Sequence, residues 1–260
     1  MRTQTSLRTV RLGDTEVPRI GLGSNRLTHT PEHVTFVREA VEAGARHIDT
    51  AHLYTGGESE ATISEALAPA PPGVIIGTKG GFRPGEGRPE VLRAQLEESL
   101  RRLRTETIDL YYLHRVSPGV PIEDSLGVLK EYQDAGRIRH VGISEVTVEE
   151  IERARAVVVI AAVQNHYNLD ERKHDAVVDY CSREGIVFVP FFPLRANSSS
   201  ALRHIARDRG ATPQQITLAW LLRRSPMMLP IPGTLSLDHV RENLAALDID
   251  LSDEEFKALT

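Results

Sequence analysis

The sequence has little cysteine and no long hydrophobic run, and each shortage excludes a class of protein. Its 260 residues include one cysteine, Cys181, so neither an internal disulfide nor a cysteine-rich metal site can form. This composition suits a reducing cytosol, and we expect a cytoplasmic protein. The longest apolar run, 156–163, is too short to span a bilayer, and residues 1–10 lack the apolar core of a signal peptide.

An excess of positive charge is missing as well. The net charge is −5, so nothing points to nucleic acid or to an anionic membrane surface as a partner. No His-x-His pair follows the first predicted strand, which argues against a metal-dependent hydrolase, and we expect no bound metal. The chain is 40% hydrophobic and has the usual length of one α/β barrel, so we expect a single domain, residues 1–260.

What the sequence does have is a regular alternation of two patterns. After a predicted N-terminal hairpin, short β-branched runs alternate with segments of helical periodicity. Thr30-Pro31 and Thr212-Pro213 are typical of helix starts, and Gly44, Gly136 and Gly185 are typical of helix ends. The β-branched runs begin near residues 19, 46, 74, 108, 139, 161, 185 and 227.

Eight strands alternating with helices predict an α/β fold, a (β/α)8 TIM barrel with an N-terminal hairpin and a C-terminal helix. An open doubly wound sheet is the alternative. Such a sheet usually binds a dinucleotide through a Gly-x-Gly-x-x-Gly turn after its first strand. Here Gly21 and Gly23 are followed by Arg26, so the third glycine is absent.

Four chemically active side chains lie at or just beyond the predicted strand ends. Asp49, Lys79 and His114 end strands two, three and four, and Tyr54 follows Asp49 by five residues. The carboxyl ends of barrel strands meet at one rim, so we expect these side chains to converge. Each residue alone has a structural explanation, such as a helix cap for Asp49 or a buried hydrogen bond for His114. Their joint placement favours an active site.

The combination suits one kind of chemistry. A free phenol titrates near pH ~10 and is a poor acid at neutral pH. We expect the ammonium of Lys79 to stabilise the phenolate of Tyr54 and lower its pKa, while Asp49 keeps that lysine charged. A neutral imidazole at His114 can donate a hydrogen bond to a carbonyl oxygen. Carbonyl reduction by a hydride carrier needs such a proton donor.

These residues also carry a resemblance to a known family. Asp49-Thr-Ala-x-x-Tyr54, Lys79 within GTKGG and His114 within DLYYLH resemble the aldo-keto reductases, from about residue 8 to the end of the chain. The resemblance implies an NADPH-dependent reductase of a small-molecule carbonyl substrate on a (β/α)8 barrel. It also implies that Asp49, Tyr54, Lys79 and His114 form the catalytic tetrad.

The resemblance extends to the cofactor site. Ser144 matches the serine of a Ser-Asn pair that holds the nicotinamide carboxamide, although Glu145 stands where the family has asparagine. Gln164 matches the glutamine that completes this grip. Phe191 occupies the position of an aromatic that stacks on the nicotinamide, with Phe192 as the alternative ring. Pro193-Leu194 matches a segment that runs along the pyrophosphate.

After the eighth predicted strand, the IPGT motif from Ile231 to Thr234 leads into a helix, and a helix start is itself an anion site. The family clamps the 2′-phosphate there with a lysine, a Ser or Thr, and an arginine. Here those positions are Gly233, Thr234 and His239. We therefore expect the protein to prefer NADPH over NADH, but by a smaller margin than relatives that have the full clamp. Glu242 and Asn243 match the family's adenine contacts.

Two other functions remain open. Lys79 could attack a carbonyl as a Schiff-base lysine, as in aldolases. The barrel could also bind NADPH without catalysis and regulate a partner. Within the resemblance, specificity comes from the loops after strands four and seven and from a C-terminal tail. The first loop is short here and the chain ends soon after its final helix, so we expect a shallow mouth and broad activity. The sequence indicates neither the substrate nor the oligomeric state.

Overall fold

The computed structural model describes residues 8–195 and 199–260, and ten α-helices and nine strands are found within them. The specificity loop expected after strand seven lies partly outside these residues. The strands are β1 Thr9–Leu12, β2 Thr15–Pro18, β3 Leu22–Gly23, β4 His47–Asp49, β5 Ile75–Gly80, β6 Ile108–Leu113, β7 Ile138–Ser144, β8 Ile160–Gln164 and β9 Val187–Phe188. The helices are α1 Pro31–Glu42, α2 Glu58–Leu67, α3 Pro89–Leu103, α4 Ile122–Asp134, α5 Val148–Arg155, α6 Asp175–Glu184, α7 Ser200–Asp208, α8 Pro213–Arg224, α9 Leu237–Ala245 and α10 Asp253–Leu259.

The main sheet has seven parallel strands. Strands β3 to β9 pair with their neighbours in chain order, and one α-helix lies between each consecutive pair of these strands. This order differs from that of an open doubly wound sheet, in which the strand order reverses at the middle of the sheet. The predicted α/β class is confirmed, and so are the N-terminal hairpin, β1 and β2, and a C-terminal helix, α10.

The eighth strand expected near residue 227 is not formed as a regular strand. Residues 227–233 nevertheless contact both ends of the sheet: the Leu229 amide donates to the Phe188 carbonyl at 2.8 Å, and the Gly21 amide donates to the Pro230 carbonyl at 2.9 Å. Single bridges pair Phe188 with Met228 and Gly23 with Gly233. Pro230 and Pro232 have no N–H to donate, so a continuous ladder cannot form.

Glycine at position 23 allows this segment to approach the first strand of the sheet. A Cβ atom at Gly23 would lie 2.8 Å from the carbonyl oxygen of Ile231, closer than non-bonded atoms tolerate. The first predicted strand therefore ends in a glycine because of backbone contact. The dinucleotide turn considered from the sequence is not needed to explain it.

The inner face of the sheet forms an apolar cluster of its own, separate from the core between the sheet and the helices. Val10, Leu12 and Val17 of the hairpin belong to this inner cluster. The hairpin therefore covers the inside of the sheet at one end. The other members of the cluster come from the strands and from the segments after β9: Ile75, Leu110, Tyr112, Ala162, Val187, Val189, Leu229 and Ile231.

Most of the helix boundaries expected from the sequence are formed. The Thr30 hydroxyl accepts a hydrogen bond from the amide of His33 at the start of α1, as an N-cap residue does. Thr147, Thr212 and Ser252 each begin a helix with a reciprocal capping box. Gly185 ends α6 with a φ of 70°, in the left-handed region that glycine adopts without strain.

His47, at the start of β4, is buried and gives the fold a pH dependence. Burial lowers its pKa to about 4, with the charge of Asp49 acting in the opposite direction. The unfolded chain takes up a proton at this residue below pH ~6.5, whereas the folded chain does not. We therefore expect this residue to lower the free energy of unfolding by ~3 kcal/mol as the pH falls from 6.5 to 4.

Urea unfolding at several pH values tests this expectation. His47→Gln, which cannot be protonated, should flatten the fall in stability between these pH values even if it lowers stability overall. His204→Gln is the matched control, because the His204 side chain is 63% exposed. Equal pH slopes for wild type and His47→Gln would contradict the prediction.

Candidate active site

The side chains expected at the strand ends do meet at one mouth of the sheet. Successive residues of a strand point to opposite faces, so every second residue points inward. Lys79 follows the inward-facing Ile75 by four residues, and His114 follows the inward-facing Tyr112 by two. Ser144 lies beside Gln164 in the register of β7 and β8.

Lys79 and Asp49 form a buried ion pair. The Lys79 Nζ donates to Asp49 Oδ2 at 2.7 Å and to the Thr50 carbonyl at 2.6 Å, and the two charged side chains are at most 3% exposed. The second carboxylate oxygen, Asp49 Oδ1, accepts a hydrogen bond from Gln164 at 2.7 Å. Burial alone would lower the pKa of Lys79, but Asp49 and Tyr54 outweigh it and the pKa is raised. The lysine is therefore a fixed cation.

The hydroxyl of Tyr54 lies next to this cation. Lys79 Nζ is 3.4 Å from the Tyr54 oxygen and 4.9 Å from the centre of its ring. Burial raises the pKa of Tyr54, and the charge of Lys79 offsets this only in part. The expectation that the lysine would bring this pKa below its ordinary value is not met, because burial is the larger effect. Tyr54 thus holds its proton at neutral pH, next to a group that would stabilise the phenolate.

A tight turn presents Tyr54 to the site. Residues Tyr54–Gly57 form a short 3-10 helix in which Thr55, Gly56 and Gly57 all have positive φ angles. Glycine accepts this conformation readily, whereas threonine does not. The Thr55 hydroxyl donates to the Leu27 carbonyl at 2.5 Å and accepts from the Ser59 amide at 3.1 Å. These bonds hold the strained residue in place.

Arg102 of α3 supports the same turn from behind. Its guanidinium occupies the space that a Cβ atom at Gly57 would need, 2.2 Å away. It donates to the His52 carbonyl at 2.9 Å and to Glu98 at 2.6 Å. No local sequence pattern indicates this contact. Gly57 and Arg102 are 45 positions apart in sequence, and helical periodicity shows only that one face of α3 packs inward.

His114 is placed against Tyr54. The two rings meet edge to face with centroids 6.1 Å apart, and Phe82 packs on His114 at 4.8 Å. Burial and the nearby charges of Lys79 and Arg115 hold the pKa of His114 well below its ordinary value. The imidazole is therefore neutral, as the sequence analysis expected, and has an N–H that can hydrogen-bond an uncharged carbonyl oxygen.

A cavity of about 610 Å³ opens beside these groups. Nine of the residues expected from the sequence line it: Asp49, Tyr54, His114, Gln164, Phe191, Pro193, Leu194, Ile231 and Gly233. Ten others complete the lining: Gly23, Ser24, Asn25, Arg26, Leu53, Phe82, Arg115, Phe192, Arg195 and Pro232. Lys79 lies behind Asp49 and Tyr54. The cavity therefore contains most of the expected catalytic and nicotinamide-side residues.

The residues expected to grip the carboxamide are bonded to other side chains in this structure. The buried Ser144 hydroxyl accepts a hydrogen bond from Arg115 at 3.0 Å, and Gln164 donates to Asp49. Glu145 has a φ of 55°, and its carboxylate accepts from the His166 amide at 2.5 Å. Burial would raise the pKa of Glu145, but His174, whose Nε2 lies 3.7 Å from the carboxylate, and the hydrogen bond from the His166 amide outweigh it and lower the pKa to about 2.

The two phenylalanines expected as stacking rings both line the cavity. Phe191 stacks on His166 with centroids 5.3 Å apart and an angle of 11° between the planes. Phe192 meets Phe191 edge to face at 5.3 Å, is 42% exposed, and has a φ of 52°. The two rings, which follow β9 in the chain, thus form an apolar wall at the opening of the cavity.

The residues predicted for the 2′-phosphate lie together at the start of α9. The Thr234 hydroxyl is 3.3 Å from His239 Nδ1 and accepts from the Ser236 amide at 3.0 Å. Ser236 is the N-cap of α9. The backbone amides in the first turn of this helix, which have no partner within the helix, therefore lie close to Thr234. The anion site expected here stays a prediction.

The two predicted adenine contacts do not line the cavity. The Glu242 carboxylate accepts a hydrogen bond from the Thr212 hydroxyl at 2.5 Å, and its backbone carbonyl accepts from Gln215 at 3.0 Å. Asn243 is only 6% exposed and lies beside Ile20 and Leu22. In this structure both residues join α9 to its neighbours.

The described residues form neither a metal-binding cluster nor a helix able to cross a membrane. Within residues 8–195 and 199–260, the histidine, cysteine and acidic side chains form no cluster of three that could hold a metal ion. Over the same residues, none of the helices is both long and apolar enough to cross a membrane.

Known proteins match this chain over most of its length. The profile of the Aldo/keto reductase family matches residues 19–260. Pyridoxine 4-dehydrogenase of Escherichia coli is 39% identical over 280 residues, which cover 98% of each chain. An uncharacterized oxidoreductase of Schizosaccharomyces pombe is 40% identical over 271 residues, covering 96% of this chain and 88% of the relative.

Among solved structures, an aldo/keto reductase from Klebsiella pneumoniae in complex with NADP and acetate superposes with a TM-score of 0.87. It is 30% identical and covers 97% of this chain and 94% of its own. A thermostable aldo-keto reductase in complex with the inhibitor epalrestat gives a TM-score of 0.88 at 33% identity, covering 96% and 98% of the two chains. By its residues, its fold and these matches, the chain belongs to the aldo/keto reductase family.

Proposed function

We propose that this protein is an NADPH-dependent carbonyl reductase in which Tyr54 protonates the substrate oxygen. One observation carries the proposal: the Tyr54 hydroxyl lies 3.4 Å from the Lys79 ammonium, beside a neutral His114, at the wall of an open cavity. Two relatives named as an oxidoreductase and a dehydrogenase agree with it.

We further propose that residues 1–260 form a single closed (β/α)8 barrel. The segment 227–233 takes the place of the eighth strand, since it bonds to β9 on one side and approaches β3 on the other. Pro230 and Pro232 reduce the number of backbone hydrogen bonds that this segment can form, but the segment still contacts both neighbouring strands. Family neighbours superpose over nearly the whole chain, which supports this architecture.

The cavity fits a dinucleotide cofactor. Its walls combine an aromatic ring, Phe191, with the segments at Pro193 and Gly233 and with two guanidinium groups, Arg26 and Arg195. Arginine is well suited to phosphate oxygens, and glycine lets a ligand approach the backbone closely. The K. pneumoniae neighbours were solved with NADP or NADPH. When bound, the reduced nicotinamide supplies the hydride.

The protein's own residues then handle the proton and the charge. His114 donates a hydrogen bond to the carbonyl oxygen and orients the substrate. Tyr54 transfers its proton to that oxygen as negative charge develops on it. The Lys79 cation stabilises the phenolate that remains, and Asp49 holds Lys79 in place.

The Schiff-base alternative has less support. A lysine that attacks a carbonyl must be a neutral amine, and enzymes obtain one by lowering its pKa. Here the pKa of Lys79 is raised, and its ammonium donates to Asp49, Thr50 and Tyr54. Borohydride treatment with substrate should leave Lys79 unmodified. A trapped adduct on Lys79 would favour the aldolase reaction.

The direct test is oxidation of NADPH in the presence of aromatic aldehydes, aliphatic aldehydes and ketones. Pyridoxal belongs among them because of the pyridoxine 4-dehydrogenase relative. We expect several aldehydes to be reduced with high KM, since each apolar contact that an open site lacks is worth ~1–3 kcal/mol. Tight NADPH binding with no turnover of any carbonyl would support the regulatory alternative.

His239→Arg tests the cofactor preference. An arginine at this position would lie next to Thr234 at the start of α9 and add a charged hydrogen bond to the 2′-phosphate. We expect the Kd for NADPH to fall about tenfold and the Kd for NADH to stay within about twofold, as one such bond is worth ~1.5–3 kcal/mol. Titration of both cofactors measures this. An equal change in both Kd values would show that His239 lies away from the phosphate.

A further inference from the structure

Three arginines line the cavity, and they lie at different parts of its wall. Arg26 donates to the Gly233 carbonyl at 2.8 Å, and Arg195 lies 4.0 Å from the centre of the Phe192 ring. Both are near the segments proposed to hold the cofactor phosphates. Arg115 directly follows His114 and lies at the catalytic end. The cofactor's anionic groups therefore do not account for Arg115.

The guanidinium of Arg115 is held between two aromatic rings. Its central carbon lies 5.3 Å from the centre of Phe82 and 5.6 Å from that of Phe191. Its Nη1 donates to the His114 carbonyl at 2.5 Å and to the Ser144 hydroxyl at 3.0 Å. These contacts fix the group at the cavity wall and leave Nε and Nη2 without a hydrogen bond to any described residue.

No carboxylate neutralises this cation directly. In the described part of the chain, no carboxylate oxygen lies within 4.0 Å of Arg115, and the one carboxylate lining the cavity, Asp49, is occupied by Lys79 and Gln164. Burial lowers the pKa of Arg115, and Glu145 acts in the opposite direction from a distance. A partly desolvated cation of this kind favours an anion from outside the protein.

We propose that Arg115 recognises an ionised oxygen group on the carbonyl substrate, a carboxylate or an ionised phenol carried by a planar aromatic ring. The free Nε and Nη2 donors form one edge of the guanidinium fork, which matches such a group in geometry. Phe82 and Phe191 offer apolar contacts to the ring itself. The substrate carbonyl then lies toward Tyr54 and His114. This assignment rests on the proposed function of the same site.

The test compares 4-carboxybenzaldehyde with its neutral methyl ester, methyl 4-formylbenzoate. For the wild-type protein we expect kcat/KM to be at least about tenfold higher for the carboxylate, the effect of one charged hydrogen bond. Arg115→Met should abolish this preference, so that the ratio of kcat/KM for the carboxylate to kcat/KM for the ester falls to about one. Arg115→Lys should keep part of it, because lysine keeps the charge and loses the fork.

Arg83→Met is the matched control, because its side chain is 74% exposed and does not line the cavity. It should keep the wild-type preference. If Arg115→Met slows both aldehydes equally, or raises the Kd for NADPH by the same factor, Arg115 serves the cofactor or the fold and the inference fails.

A binding measurement separates this inference from the proposed function. Calorimetric titration of 4-carboxybenzaldehyde into the complex of the protein with NADP⁺ needs no turnover. We expect Arg115→Met to weaken binding at least about tenfold relative to wild type. Equal binding by the two proteins would overturn the role of Arg115 even if carbonyl reduction is found. Weakened binding without reduction of any aldehyde would refute only the proposed function.

Discussion

Tyr54→Phe is expected to lower kcat for carbonyl reduction by a factor of about 10²–10⁴, the usual contribution of a general acid. The change removes only the hydroxyl that lies 3.4 Å from the Lys79 ammonium and leaves the ring, with its contact to His114, in place. The Kd for NADPH should change little. Steady-state kinetics and a cofactor titration measure both quantities.

The pH profile gives a second measurement of the same role. Because burial raises the pKa of Tyr54, the wild-type enzyme should lose kcat only in alkaline solution, where the hydroxyl gives up its proton. Tyr54→Phe should show no such alkaline decrease in its residual activity. Tyr132→Phe, which alters a tyrosine of α4 that does not line the cavity, should behave as wild type. Retention of most reductase activity in Tyr54→Phe would remove the assigned role.

The convergence of the proposed catalytic residues was predictable because strand geometry and strand order are both visible in sequence. Asp49, Lys79 and His114 end successive runs, and parallel strands in chain order bring such ends together. Tyr54 was visible because it follows Asp49 by five residues in the Asp-Thr-Ala-x-x-Tyr pattern. Residue type and spacing were sufficient for these positions.

Other features depend on contacts between distant segments. Gln164 was expected to face the cofactor, yet it also donates to Asp49 across 115 positions of sequence, and no local pattern indicates that bond. The pKa of Tyr54 was expected to be lowered because charge was considered without burial. Arg115 escaped notice because an arginine beside a strand end is usually exposed, and only the packed rings of Phe82 and Phe191 show that it is held in the wall.

The eighth strand shows the same limit for the fold. The run near residue 227 was visible in the sequence, and its apolar residues Leu229 and Ile231 face the inside of the sheet. The prolines at 230 and 232 were equally visible in the sequence. Whether these prolines interrupt the strand depends on which neighbouring strand their missing N–H groups would have faced. That can be known only from the register between this segment and β3.

Lys79→Met is expected to lower both activity and stability. Without the cation, the phenolate formed at Tyr54 loses its stabilising charge, and kcat should fall by a factor of about 10² or more. The carboxylate of Asp49 would also remain buried with only neutral hydrogen-bond partners such as Gln164. Removing one partner of a buried ion pair costs ~3–5 kcal/mol, and urea unfolding at neutral pH, where Lys79 is charged, measures this loss.

The double variant Asp49→Asn/Lys79→Met separates the contribution of the ion pair to stability from the contributions of the two individual side chains. Asparagine keeps the oxygen that accepts from Gln164 and removes the negative charge, so neither variant side chain is a buried unpaired ion. We expect the double variant to be more stable than the sum of the two single losses predicts, by ~1–3 kcal/mol, while kcat stays low. Strict additivity would mean that the 2.7 Å contact contributes no coupling to stability. Recovery of kcat in the double variant would mean that turnover needs an uncharged pocket beneath Tyr54 and would contradict a catalytic role for the Lys79 charge.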